Sequence, residues 1–166
     1  MNSSNEQLMA FANTRGKEKN PGFISIVAFD YYDGPEQGLA IYPSGAGVRF
    51  SSLGDSRSRL FRAFSFVAID GDWLKRSKDL QELSVEHSSQ RIFLPMEESK
   101  LFDVFEQDVS CAAERGYYVG VGSPTLDCLS IATISNEALE AIRKSHNSVD
   151  SFHNVHQLIK DKKQSK

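Results

Sequence analysis

Residues 23–32, FISIVAFDYY, and residues 60–69, LFRAFSFVAI, decide how this chain is read. Both are runs of β-branched and aromatic residues, the composition that suits a pleated, half-buried strand. In the first run, alternation puts Phe23, Ser25, Val27, Phe29 and Tyr31 on one face and Ile24, Ile26, Ala28, Asp30 and Tyr32 on the other. Both faces are apolar until the C-terminal end, which predicts a central strand. In the second run, Leu60, Arg62, Phe64 and Phe66 share a face. The interval between the runs is punctuated by Asp33-Gly34-Pro35, by Pro43-Ser44-Gly45-Ala46-Gly47 and by Gly54-Asp55-Ser56. These are turn-forming clusters, so two further strands are expected over 38–42 and 48–51. Short turns make consecutive strands antiparallel neighbours, and 23–69 reads as a meander.

Outward from the meander the periodicity changes. Asp72 is placed to cap a helix over 73–83, followed by a polar loop over 84–90 and a short strand over 91–94 ended by Pro95. Glu97 and Glu98 suit the first turn of a second helix, whose apolar face carries Leu101, Phe102, Val104, Phe105, Val109 and Ala112 and which Gly116 ends. Strands are expected over 117–121 and 128–134, around the turn Gly122-Ser123-Pro124-Thr125. Ser135 caps a helix over 136–144, and a last helix covers 149–160. Upstream, Ser4 and Gln7 fit a capping box for a helix over 5–14, with Leu8, Phe11 and Ala12 as its apolar stripe. The expected fold is α+β: a twisted antiparallel sheet of about six or seven strands with helices packed mainly on one face. Its organisation is an N-terminal helix and linker over 1–22, a single domain over 23–160 and a charged tail over 161–166. Ile26, Val27, Phe64, Phe66, Val67, Phe102, Phe105 and Ile131 are expected to form one continuous core.

Composition narrows the function. The chain has 166 residues, 40% of them hydrophobic and 25% charged, as in an ordinary globular domain. Its formal charge of −3 gives no global attraction for nucleic acid or an anionic membrane. The first three strands carry Arg49 as their only cation, whereas a single-strand nucleic-acid platform interleaves aromatics with Lys and Arg. Neither nucleic acid nor membrane is therefore an expected partner. The N-terminal stretch 1–7 is polar and lacks the basic and apolar regions of a secretory signal, so a cytoplasmic location is expected. Cys111 and Cys128 show no CxxC spacing and are expected as free thiols.

One constellation stands out as a candidate ligand site. Asp30, Tyr32 and Asp33 end the first long strand, and Arg57, Arg59 and Arg62 begin the second. If those strands are neighbours, carboxylates and guanidinium forks line one cleft suited to a polar or anionic ligand. The alternative is internal bracing of Arg by Asp. Arg62 is the telling residue, because it sits on an apolar stripe and a buried Arg needs a partner, Asp30 or Asp55 being the nearest.

Other patterns fall short of a site. His146, Asp150, His153 and His156 lie close together in sequence, but the histidines flank the apolar face of the last helix and match no zinc motif. Gly120-Val121-Gly122-Ser123 is followed by Pro124 rather than a helix, and Ser123 lacks the GxSxG setting. Asp70 and Asp72 fail the calcium-loop pattern, since its closing position holds Gln81. Cys128 would need an activating histidine, His87 or His146, that no spacing indicates. Tyr31, Tyr32 and Tyr42 cluster in sequence near the first hairpin and form a candidate recognition surface. No metal or cofactor is expected. The function read from this pattern is a non-catalytic binding or regulatory module that recognises a protein or a small polar ligand. The competing reading is a small hydrolase or transferase with dispersed acidic and Arg residues.

Overall fold

The β-branched and aromatic runs form strands as their composition dictates. The computed structural model describes residues 4–12, 19–31, 34–69, 72, 73, 75, 86, 87, 91–93, 107, 110, 116–145 and 147–164. The strands are β1 (Ser25–Tyr31), β2 (Pro35–Ile41), β3 (Gly47–Asp55), β4 (Arg62–Ile69), β5 (Glu86–His87), β6 (Arg91–Phe93), β7 (Tyr117–Gly122) and β8 (Leu129–Ile134). They make one sheet in the order β5-β6-β1-β2-β3-β4-β7-β8. The run from β1 to β8 is antiparallel throughout. The small β5–β6 hairpin joins it through a parallel contact between β6 and β1. Three helices are described: α1 (Ser4–Ala12), α2 (Asn136–Arg143) and α3 (Ser148–Gln164). The fold is α+β with a largely antiparallel sheet, as the sequence reading expects.

Several boundaries differ from that reading, each for a local reason. Gly54 and Asp55 belong to β3 rather than to a turn. The β3–β4 register slips between Ser52 and Gly54, and a Cβ at Gly54 would run into the Ser148 carbonyl oxygen. That glycine marks a bulge and a close approach. Pro35 opens β2 opposite Tyr31, as the first residue of a strand permits. In β1 the register also shifts, between Ala28 and Asp30 and again between Asp30 and Tyr31, so strict alternation fails beyond Ala28. β5 lies in the segment read as a polar loop. α3 continues to Gln164, through the segment read as a tail, where Gln157 Nε2 donates to Asp161 Oδ1 at 2.8 Å and Lys162 Nζ to Thr133 Oγ1 at 3.1 Å. The Asp72 cap forms, with Lys75 N–H donating to Asp72 Oδ1 at 3.1 Å, and so does the Ser135 cap, with Ala138 N–H donating to Ser135 Oγ at 3.1 Å. The helix expected beyond Glu97, with Phe102, Phe105 and Cys111, lies outside the described residues save for positions 107 and 110, which are helical.

Side-chain alternation divides the core by sheet face. On one face Tyr42, Phe50, Phe64, Phe66, Tyr118 and Ile131 pack beneath Leu8 of α1. On the other, Val119, Val121, Ala132 and Ile134 pack against Leu139 and Ile142 of α2 and Phe152, Val155 and Ile159 of α3. Among the described residues the single cluster expected from sequence is thus divided between the faces of the sheet. Val67 follows Phe66 on β4 and points to the opposite face. It is buried, as is Val27, but neither belongs to the Phe66 cluster, and Ile26 is only half-buried.

The two tyrosines under α1 carry a pH signature. Burial pushes the Tyr42 phenol far above its ordinary value, with the neighbouring Tyr118 phenol adding to the shift, and burial raises Tyr118 as well. The unfolded chain therefore releases these protons first, at about pH 10. Stability is full below that pH and falls as alkali ionises the unfolded tyrosines while the folded ones stay neutral. Urea titrations from pH 8 to 11 should show this decline, and Tyr42→Phe should flatten it. An unchanged slope in Tyr42→Phe would show that Tyr42 does not contribute.

Candidate functional site

Three turns meet at one end of the sheet, those joining β1 to β2, β3 to β4 and β7 to β8. Gly34, at φ +126°, leaves no room for a side chain, because its Cβ would sit 2.7 Å from the Pro124 carbonyl oxygen. The β1–β2 and β7–β8 turns therefore touch. The start of α3 reaches the same end, where Ser148 Oγ accepts a hydrogen bond from Asp55 N–H at 2.8 Å.

Arg62 lies at the centre of this end and is 1% exposed. Its Nε donates to Asp55 Oδ1 at 2.5 Å, its Nη2 to Asp55 Oδ2 at 3.5 Å and its Nη1 to the Pro35 carbonyl at 3.4 Å. Asp55 and Arg62 are direct cross-strand partners, so the β3–β4 register itself brings carboxylate to guanidinium. The fork thereby ties β4 to β3 and to the first residue of β2.

Above it, residues 56–61 form a turn held by its own serines. Ser56 N–H donates to the Phe61 carbonyl and Arg59 N–H to the Ser56 carbonyl, both at 2.9 Å. Ser56 Oγ accepts from Phe61 N–H at 3.1 Å and lies 3.2 Å from Ser58 Oγ, which accepts from Leu60 N–H at 3.4 Å. Arg59 adopts φ +62°, a left-handed conformation uncommon for any residue but Gly, Asn or Asp. The result is a rigid turn that presents Arg57, Arg59, Leu60 and Phe61 to solvent, with Leu60 69% and Phe61 42% exposed.

The β7–β8 turn is braced in the same manner. Ser123 Oγ accepts from Asp127 N–H at 3.1 Å and Cys128 N–H at 3.3 Å, while Thr125 Oγ1 donates to Asp127 Oδ2 at 2.7 Å. Ser123 is thus a turn brace. A small polar recess of about 190 Å³ lies between Glu36 and Gln37 of β2 and Ser51 and Ser52 of β3. That is below the usual size of a small-molecule pocket.

The residues singled out from sequence are only partly brought together. Arg57, Arg59 and Arg62 do share this end, but Arg62 is buried while the other two are exposed. β1 and β4 are not neighbours, since β2 and β3 lie between them. Three strand spacings, about 14 Å, therefore separate the strand ends that were to line one cleft. Asp30 pairs with Gln37 at the β1 irregularity. Its side chain lies outside the described residues, as do Tyr32 and Asp33. Asp55, one of the two partners proposed for Arg62, holds it. Tyr42 is 3% exposed and lies just past the far end of β2, about 20 Å from the turn. His153 and His156 are exposed on α3, each with its ring 5.8 Å from that of Phe152, and His146 lies outside the described residues. Cys128 is half-buried.

The exposed pair Leu60–Phe61 escaped the sequence reading, which took both residues into the strand. The available signal was the Ser56/Ser58 alternation before them, which suits a side-chain-braced turn. Among the described residues no helix is long and apolar enough to cross a membrane, and no three His, Cys, Asp or Glu side chains gather at one point. No protein-family model, curated protein or solved structure matches the chain.

Proposed function

We propose that this chain is a non-catalytic binding module that recognises a protein partner through the β3–β4 turn. The observation that carries this reading is the adjacent pair Leu60 and Phe61, exposed on a turn whose polar groups bond to one another. Single exposed apolar residues are ordinary on a protein surface, and Met9 and Ile24 are two such cases. Two neighbours on a rigid projection differ from these, because little side-chain and loop ordering is left to oppose association. Arg57 and Arg59 flank the pair, and Phe and Arg are both enriched at interfaces. The chemistry that fits is an apolar pocket rimmed by carboxylates. Arginines at the rim speed encounter and fix orientation, while the apolar pair supplies affinity. Arg62 acts beneath the surface by holding the base of the turn.

A photocrosslinking amino acid at Ser58 tests this, with the same group at the exposed Asn154 of α3 as control. The Ser58 probe should capture a discrete partner that the Asn154 probe does not. Leu60→Ser/Phe61→Ser should reduce capture at least about 30-fold, as hot-spot truncations do, while leaving the melting temperature within a few degrees. Higher salt should lower capture through screening of the arginines. Equal capture by the double variant, or equal labelling from Asn154, would refute the proposal.

A further inference from the structure

The contact between α1 and the sheet is incomplete in a specific way. Among the described side chains of α1, Leu8 alone is fully buried; Phe11 and Ala12 are half-buried, and Met9 and Ala10 are exposed. Tyr118 Oη donates to Asn5 Oδ1 at 2.8 Å, and Gln7 Nε2 donates to Ser44 Oγ at 3.0 Å. Tyr42 lies in the same cluster as Leu8, yet its hydroxyl is buried and makes no hydrogen bond. Native structures rarely leave a buried donor unpaired, because the group has lost water and gained nothing in return. Beside it, a recess of about 460 Å³ opens between Ala10 and Phe11 of α1, Pro21 and Gly22, and Tyr42 and Pro43. The helix thus closes over the sheet without filling the space and at the expense of one polar group.

A fixed point stands just downstream. Lys19 and Leu129 exchange two backbone hydrogen bonds, at 3.0 and 2.8 Å, which fastens the chain to the edge of β8. Lys19 is thereby tied to the sheet downstream of α1. We propose that α1 is a lid hinged at Lys19, which opens as a unit while the sheet stays folded and uncovers the face centred on Tyr42 and Tyr118. Opening returns the Tyr42 hydroxyl to water, and that gain offsets much of the loss of Leu8 packing. Local openings of this kind draw on elements with few fully buried apolar groups. Access to the Tyr42–Tyr118 face is then governed by the helix, independently of the turn end.

Hydrogen exchange of the full chain, resolved by residue, tests this. The amides of residues 8–12 should exchange at least about 100-fold faster than those of Phe64 and Val119, at rates insensitive to low denaturant, the mark of a local opening. Tyr42→Phe, which removes the unpaired hydroxyl, should slow α1 exchange about tenfold. Leu8→Asp should strip protection from α1 and leave Phe64 and Val119 protected. Exchange of α1 in step with Phe64 and Val119 would overturn the proposal, as would loss of sheet protection in Leu8→Asp. No slowing in Tyr42→Phe would overturn the role given to the hydroxyl.

Discussion

Phe66→Ala should lower the unfolding free energy by about 3–5 kcal/mol, read as a shift of the denaturant midpoint at unchanged slope. Phe66 is fully buried in β4 and faces Phe50 and Tyr118 on the strands to either side. Its ring lies 5.9 Å from that of Phe64. It also covers Gly120 on β7, where a Cβ would come within 2.7 Å of Phe66 Cε2. The socket is therefore built from hydrogen-bonded backbone on one side and aromatic rings on the others. Neither can collapse into the space that truncation leaves, which places the cost in the upper part of the range for a Phe in a core. The same geometry works in reverse. Gly120→Ala overfills the site and should cost about 1–3 kcal/mol, less than Phe66→Ala because the added methyl first meets the edge of a side chain rather than backbone. A Phe66→Ala cost below about 1 kcal/mol would mean that this face is not the centre of the core.

The elements that were legible in the sequence are those fixed by neighbours in the chain. The strands around Val27 and Phe66 and the caps at Asp72 and Ser135 all rest on local chemistry, and all appear. What was not legible depends on distant partners. Gly54 reads as a turn residue because the sequence does not show that Ser148 approaches it. The placement of β6 beside β1, parallel and far along the chain, follows no turn signal. The single core cluster failed for another reason, since the period of two was applied along each strand but not carried through to the pair Phe66 and Val67.

The turn end shows the same division. That a buried Arg62 needs a carboxylate follows from desolvation alone, and the sequence offered Asp30 and Asp55 as the nearest; the β3–β4 register brings Asp55 opposite. That Leu60 and Phe61 face solvent could not be read the same way, because apolar residues before a strand resemble the first residues of one. Tyr42 is the converse case. Its place next to a turn suggested a surface, whereas packing in the cluster beneath Leu8 and against the Phe23 ring, 4.9 Å away, buries it, which only the tertiary arrangement shows.

Asp55→Ala should destabilise the protein by about 3 kcal/mol, more than Arg62→Met, and the order is the informative result. Removing Asp55 takes a carboxylate from a guanidinium that is 1% exposed, where a lost charge partner is costly. Removing Arg62 instead leaves a carboxylate that is 24% exposed and remains in reach of water. Arg62→Met keeps most of the volume and the apolar stem, so its cost should lie below about 1 kcal/mol, and a gain in stability is compatible with the pair acting as a brace. Asp55→Ala combined with Arg62→Met should recover most of what Asp55→Ala alone loses, because no charge is then left buried. Arg62→Lys alone should cost more than Arg62→Met, since it keeps a buried charge while an ammonium cannot span Asp55 and the Pro35 carbonyl as the planar fork does. The same variants separate bracing from ligand binding. With a photocrosslinker at Ser58, a folded Arg62→Met that captures the partner as the wild type does assigns Arg62 to the base of the turn. If Arg62→Met folds but capture is lost, and Arg62→Lys fails as well, then Arg62 itself belongs to the binding surface and the turn-tip reading is too narrow.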